Sequence, residues 1–219
     1  MHFEIVDESR YDEVLNYLRN HFHDEPLNVA VGLFKKGQTC QLLENYDMDT
    51  MRDGYSIIAI DPDTNKIAGA MLNAISSLGD PELELERMKC IDDIEFHRLM
   101  GLLLRHNSDA QLFRKYNVEK IFELRILSVD SDYRGRGLGQ ELVKRSEELA
   151  REHGFTVLKV DATSFFTQKI LEKFGFETVK TVVYHDYRDA DGKYIYNTPP
   201  PHDTYKIMTK VLSNEPVHV

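Results

Sequence analysis

The spacing of apolar and polar residues divides the chain into a succession of strands and helices. Phe3-Glu4-Ile5-Val6 has the period-two pattern of a short strand, and Asp7-Glu8-Ser9 supplies capping side chains ahead of apolar Tyr11, Val14, Leu15, Leu18 and Phe22. That spacing predicts an amphipathic helix. Residues 23–28 interrupt it, and Pro26 suits the first turn of a second, short helix with Glu25 at its start, where a carboxylate faces the positive end of the helix dipole. Residues 54–60 and 66–72 are strand-like runs separated by the turn Asp61-Pro62-Asp63-Thr64-Asn65, which predicts a hairpin. From about residue 82 to 116 the period becomes helical, with Ile94, Leu99, Met100, Leu103, Leu112 and Phe113 available to one side, enough for two or three helices.

Residues 120–129 read as a strand, followed by a glycine-rich loop and a helix from 138 to about 153 that turns Leu142, Val143, Ser146, Leu149 and Ala150 inward and stops at Gly154. A strand over 156–160, a helix over 164–174 stopped by Gly175, and strand-like stretches around 182–184 and 205–208 complete the chain. The order β-α-α-β-β, helices, β-α-β-α-β-β predicts one α/β domain over residues 1–219, a single mixed sheet with helices on both faces.

With 219 residues, 42% of them hydrophobic and 29% charged, the chain is long enough to bury one sizeable core. Its 37 acidic and 27 basic residues give a formal charge of −10, which disfavours nucleic acid as a partner and favours cationic ligands. Cys40 and Cys90 lack the paired spacings of zinc sites or disulfide frameworks, so a reducing, cytoplasmic setting and no metal are expected. The acidic N-terminal stretch is unlike a secretory leader, and no window approaches the ~20 apolar residues of a membrane span. The expected assembly is a soluble monomer or weak dimer without a membrane partner.

The strongest chemical signal is Asp130-Ser131-Asp132-Tyr133-Arg134-Gly135-Arg136-Gly137-Leu138-Gly139-Gln140, set between a strand and a helix. A pyrophosphate needs converging N–H donors; glycines admit close backbone approach, the new helix offers its N-terminus, and Arg134 and Arg136 can add charge-assisted bonds. A Walker A loop would need Gly-Lys followed by Ser or Thr, and a dinucleotide fingerprint would need glycine at Gln140, so neither fits.

Arg134, Gly137 and Gly139 match the coenzyme A signature of the GNAT acetyltransferase superfamily, and Lys173-Phe174-Gly175-Phe176 resembles the end of that superfamily's next helix. The resemblance implies the GNAT fold with a mostly antiparallel sheet. It also implies acetyl-CoA bound by residues 134–139, Gly135 and Leu138 included, with the backbone of Leu127, Ser128 and Val129 along the pantetheine arm. Phe22-His23-Asp24-Glu25-Pro26-Leu27-Asn28 and Tyr184-His185-Asp186-Tyr187-Arg188-Asp189-Ala190-Asp191-Gly192-Lys193 are similar to insect arylalkylamine N-acetyltransferases of the dopamine N-acetyltransferase group. That narrower resemblance implies a small amine as the acyl acceptor, of the dopamine, serotonin, tyramine and octopamine class. It makes Glu25 the general base and puts hydroxyls at Thr163 and Thr167, where the family carries serines. Leu171 stands where many GNAT enzymes have a tyrosine acid.

The residues alone leave alternatives. Glu25 also fits a purely structural helix-start carboxylate, and Thr163 or Thr167 an N-cap. His202 suits either an amine-pocket wall or an exposed loop, and Phe22, Phe34, Phe165, Phe166 and Tyr184 either an aromatic wall or core. A GNAT enzyme for polyamines, histamine or protein N-termini, and a non-catalytic acyl-CoA sensor, are the competing functions.

Overall fold

The computed structural model describes residues 1–212. The N-terminal half comprises β1 (His2–Ile5), α1 (Tyr11–His21), α2 (Pro26–Val31), α3 (Gln41–Arg52), β2 (Ile57–Ile60), β3 (Ile67–Ser77), α4 (Asp80–Met88), α5 (Ile94–Ala110) and α6 (Leu112–Tyr116). The C-terminal half comprises β4 (Lys120–Val129), α7 (Leu138–Glu152), β5 (Val157–Ala162), α8 (Phe165–Lys173), β6 (Glu177–Val183) and β7 (Thr204–Val211). The strands form one seven-stranded sheet in the order β1-β2-β3-β4-β5-β7-β6, antiparallel throughout except for β4 beside β5.

The apolar alternation explains the layers. Ala68, Met71, Phe122 and Leu124 pack with Leu138, Leu142 and Val143 of α7 and Leu171 of α8, whereas Ala70, Leu72 and Ile126 pack with Val14, Leu15 and Leu18 of α1. A third cluster joins Leu99 and Leu102 of α5 to Ile121, Tyr205 and Ile207. Burial on both faces drives the collapse. Gly69 sets how closely α7 approaches: a Cβ there would lie 3.1 Å from Leu142 Cδ1, 3.2 Å from Leu138 Cδ2 and 3.3 Å from the Ser128 carbonyl.

Two features lie outside the apolar pattern. Helix α3 turns Glu44, Asp47 and Thr50 inward together with Met51, so its buried face is largely polar. Arg19 grips Glu44 through both guanidinium arms, Nε to Oε1 at 2.8 Å and Nη2 to Oε2 at 2.7 Å, while burial and then the Glu44 charge push Asp47 up to about 8. Strand β3 runs five residues past Leu72, to Ser77, through buried Asn73, whose Nδ2 donates to Ser146 Oγ and to the Tyr55 carbonyl, each at 2.9 Å, while its Oδ1 has no partner among the described residues.

The sheet is split at its middle. Strands β4 and β5 pair only through Phe122 with Leu158, Glu123 with Lys159 and Leu124 with Val160. Beyond Leu124 the register of β4 against β3 slips by one residue at Arg125, and β4 continues with β3 while β5 continues with β7. A bulge increases local twist and bends its strand, which here accompanies the divergence of β4 from β5.

Candidate active site

A cleft of about 770 Å3 opens where β4 and β5 part, and α7 and α8 flank it. Leu127, Ser128 and Val129 line it from β4. Successive residues of a strand direct their backbone N–H and C=O groups to alternate sides, so part of this backbone keeps its β3 partners while the rest faces the cleft with no β5 strand to meet it. The Ser128 hydroxyl is occupied elsewhere, donating to the His21 carbonyl at 3.1 Å.

Arg134, Gly135, Gly137, Leu138 and Gly139 line the same cleft at the start of α7. Gly135 and Gly137 hold φ of 77° and 81°, in the left-handed region, and no side chain caps α7. The first-turn N–H groups of α7 thus remain for an anion, and the helix dipole adds positive potential there. Gly139 is close-packed as well, its Cβ position lying 3.4 Å from Ile170 Cδ1. Arg134 Nε donates to the Val129 carbonyl at 2.9 Å, and its Nη2 pairs with Asp24 at 3.1 Å. Arg136, expected beside the phosphates, is absent from the cleft wall; its guanidinium lies 5.5 Å from the centroid of the Tyr133 ring, a cation–π contact. A side chain at Gly137 meets no neighbour but cannot take that φ without strain. Gly137→Val is expected to weaken coenzyme A binding by about 5- to 30-fold, from the ~1–2 kcal/mol cost of the left-handed conformation, while far-ultraviolet circular dichroism stays unchanged. Calorimetric titration with coenzyme A checks it.

Glu25 stands at the cleft as the N-cap of α2: Oε2 accepts from the Asn28 amide at 2.7 Å. Its other oxygen, Oε1, is buried without a hydrogen-bond partner among the described residues. Burial raises the carboxyl above its ordinary 4.5, and the Asn28 amide and nearby Thr163 offset only part of that. One oxygen thus anchors the helix while the other is available to a ligand.

Thr163 and Thr167 both line the cleft near α8. The capping role belongs to neither: Ser164, which lies between them, caps α8 by accepting from the Thr167 amide at 3.1 Å, and its hydroxyl donates to Thr167 Oγ1 at 2.9 Å. His202 lines the cleft too, accepting through Nδ1 from the Phe165 amide at 3.1 Å with its ring edge toward Phe166. Burial lowers its pKa, which suits a neutral ring accepting at Nδ1. Tyr184, expected at the amine, instead lies fully buried behind the wall, where its hydroxyl donates to the Thr163 carbonyl at 2.9 Å. It positions Thr163 and presents no surface to the cleft. Leu171 lines the cleft and carries no ionisable group.

A second, smaller cavity of about 90 Å3 shares Phe22, Glu25, Leu124, Arg125, Asp161 and Thr163 with the cleft and adds Phe34, Tyr46, Leu99 and Met100. Glu25 therefore sits where the cleft meets a pocket walled by aromatic and aliphatic side chains together with Glu123, Arg125, Lys159 and Asp161. Part of this pocket's wall is a buried ion network: Arg125 Nε to Glu123 at 3.0 Å, Lys159 Nζ to Glu123 at 3.1 Å and to Asp161 at 2.6 Å, and the Tyr205 hydroxyl to Asp161 at 2.6 Å. Burial alone would push Glu123 up, yet Lys159 and Arg125 hold it down to about 2. The apolar periodicity passed over these residues and Ser164. Charged residues at 123, 125, 159 and 161, in strands otherwise apolar, were the available signal.

No group of three or more His, Cys, Asp or Glu suited to a metal occurs among the described residues. Within residues 1–212, no helix is long and apolar enough to cross a membrane.

Comparison with known proteins adds a family to this geometry. Arylalkylamine N-acetyltransferase 2 from Aedes aegypti superimposes with a TM-score of 0.93 and 43% sequence identity, over 97% of this chain and 99% of that one. Mosquito arylalkylamine N-acetyltransferase like 5b gives 0.87 at 25% identity, over 96% of this chain and 99% of the other. N-acetylaspartate synthetase of Xenopus tropicalis is 35% identical over 69 residues, 31% of this chain, a match spanning about a quarter of that protein (26%). Residues 18–176 match the acetyltransferase (GNAT) family, and with the split sheet and the uncapped, glycine-led start of α7, the chain belongs to it.

Proposed function

We propose that this GNAT acetyltransferase moves the acetyl group of acetyl-CoA to the primary amine of an arylalkylamine, with Glu25 as general base acting through ordered water. The observation that carries the reading is the buried, unpartnered Glu25 Oε1, raised in pKa, at the junction of the cleft and the aromatic pocket. The 43% identity to a protein named as an arylalkylamine N-acetyltransferase supports the same class of acceptor.

The uncapped α7 terminus and the free backbone edge of β4 fit the diphosphate and extended arm of acetyl-CoA, which supplies the acetyl group as an activated thioester. At neutral pH the amine arrives as an ammonium and must lose a proton before its nitrogen can attack. Glu25 attracts the cation and takes that proton, and the nitrogen then bonds to the acetyl carbon as the carbon–sulfur bond breaks. Backbone N–H groups near Val129 steady the charge that develops on the carbonyl oxygen. With leucine at position 171, the departing sulfur takes its proton from water, and the bonded nitrogen gives its second proton back to that water. The Thr163 and Thr167 hydroxyls help to order the water between Glu25 and the amine.

Thiol release from acetyl-CoA across tyramine, dopamine, serotonin, histamine and spermidine tests the proposal. The expected result is preference for the three aryl amines. Preference for spermidine or histamine would move the acceptor to another small amine, and coenzyme binding without turnover of any amine would make the chain an acyl-CoA sensor.

A further inference from the structure

The inner pocket carries one polar group that neither the fold nor the proposed chemistry uses. Tyr46 of α3 lines the inner cavity of about 90 Å3 and an adjoining one of about 40 Å3. Its ring is clamped: the Arg125 guanidinium lies 4.6 Å from the ring centroid, and Arg125 is itself fixed by Glu123 and by Thr50, each at 3.0 Å. Its hydroxyl nevertheless has no hydrogen-bond partner among the described residues. Of the nearby charged groups, Lys159 is committed to Glu123 and Asp161, and Asp161 also to Tyr205, while Glu84 lines the adjoining cavity without a hydrogen bond to the phenol. Burial raises the phenol's pKa further above its ordinary 10, so at neutral pH it remains an O–H able both to donate and to accept.

A phenol lining a buried pocket with no protein partner lowers the free energy of any ligand that brings a hydrogen-bonding group to it. Glu25, Phe22 and Phe34 line the same cavity, which places an ammonium site and an aromatic wall in reach of Tyr46. We infer that Tyr46 is a specificity-determining residue that hydrogen-bonds a hydroxyl on the aromatic ring of the amine, so that the pocket favours phenolic over unsubstituted arylethylamines. This rests on the arylalkylamine reading above and adds the ring substituent to it.

Tyramine and 2-phenylethylamine, which differ by one hydroxyl, provide the test. The wild-type protein is expected to have the higher kcat/KM for tyramine. Tyr46→Phe keeps the ring and its cation contact, and should lower kcat/KM for tyramine by about 5- to 30-fold, the cost of one lost hydrogen bond, while 2-phenylethylamine stays within about twofold. Its Tm should be unchanged or higher, since only an unpartnered hydroxyl is removed. Equal loss for both amines, no loss for tyramine, no preference in the wild-type protein, or a fall in Tm would each overturn the inference and leave the arylalkylamine reading standing. A wild-type protein that acetylates neither amine but does acetylate spermidine overturns the underlying reading and this inference with it.

Discussion

Glu25→Gln is expected to lower kcat by about 10²- to 10⁴-fold, the usual contribution of a positioned general base, and to leave coenzyme A affinity unchanged. Glutamine keeps an oxygen to accept from the Asn28 amide, the bond by which Oε2 caps α2, so the helix start survives. It cannot take up a proton. The pH profile separates this from a structural effect. Burial holds the Glu25 carboxyl above 4.5, so wild-type kcat/KM falls as pH drops through that raised value, and the variant lacks this limb. Stability moves oppositely: a raised folded pKa means the contribution is full below 4.5 and is lost as pH rises through the folded value, so Glu25→Gln leaves Tm at neutral pH the same or higher. Thiol-release kinetics, calorimetry with coenzyme A and thermal melting provide the three readings. Undiminished turnover at neutral pH would strike Glu25 from the mechanism.

The second large effect concerns stability. Lys159→Met is expected to cost about 3–5 kcal/mol in urea denaturation, because the Lys159 ammonium, 5% exposed, neutralises both Glu123 and Asp161. Methionine nearly matches the stem in volume, so the loss reports uncompensated carboxylates more than a cavity. Adding Glu123→Gln and Asp161→Asn should recover part of it. The pH dependence carries the sign. Glu123, held at about 2, stabilises the fold fully above its ordinary 4.5 and loses that contribution as pH falls toward 2. In Lys159→Met the depression shrinks, and the acid limb of the stability curve flattens. A variant as stable as the parent would show that Arg125 alone suffices for both acids.

Much of the fold was legible because most elements obey simple periods. Strand β4 alternates, α7 carries an apolar stripe from Leu138 to Ala150, and Pro26, Gly154 and Gly175 mark ends in the expected way. Helix α3 was not legible: with Glu44, Asp47 and Thr50 as its buried face, the stripe exists in space but not in hydropathy. The glycine-led, uncapped start of α7 could be read, since Gly135, Gly137 and Gly139 stand at alternate positions just where a strand gives way to a helix. Side-chain direction could not: Arg136 turns back to Tyr133, a local contact that hydropathy does not encode, and Tyr184 turns inward on Thr163, 21 residues away. Glu25 was readable as a helix start. That one oxygen caps while the other stays unpartnered depends on burial by Thr163 and its neighbours, which only the folded chain brings together.

The early end of the β4–β5 ladder also bears on the pairing of strand edges between chains. Exposed strand edges ordinarily recruit neighbouring chains and seed aggregates, and outer strands are blunted against this by charge or by shortness. Here such an edge lies inside the sheet, recessed between α7 and α8. A thin, flexible chain can slide along it, whereas a foreign strand carrying side chains on both faces would collide with the two helices. The gap thus stands where it admits a slender ligand and turns away a strand.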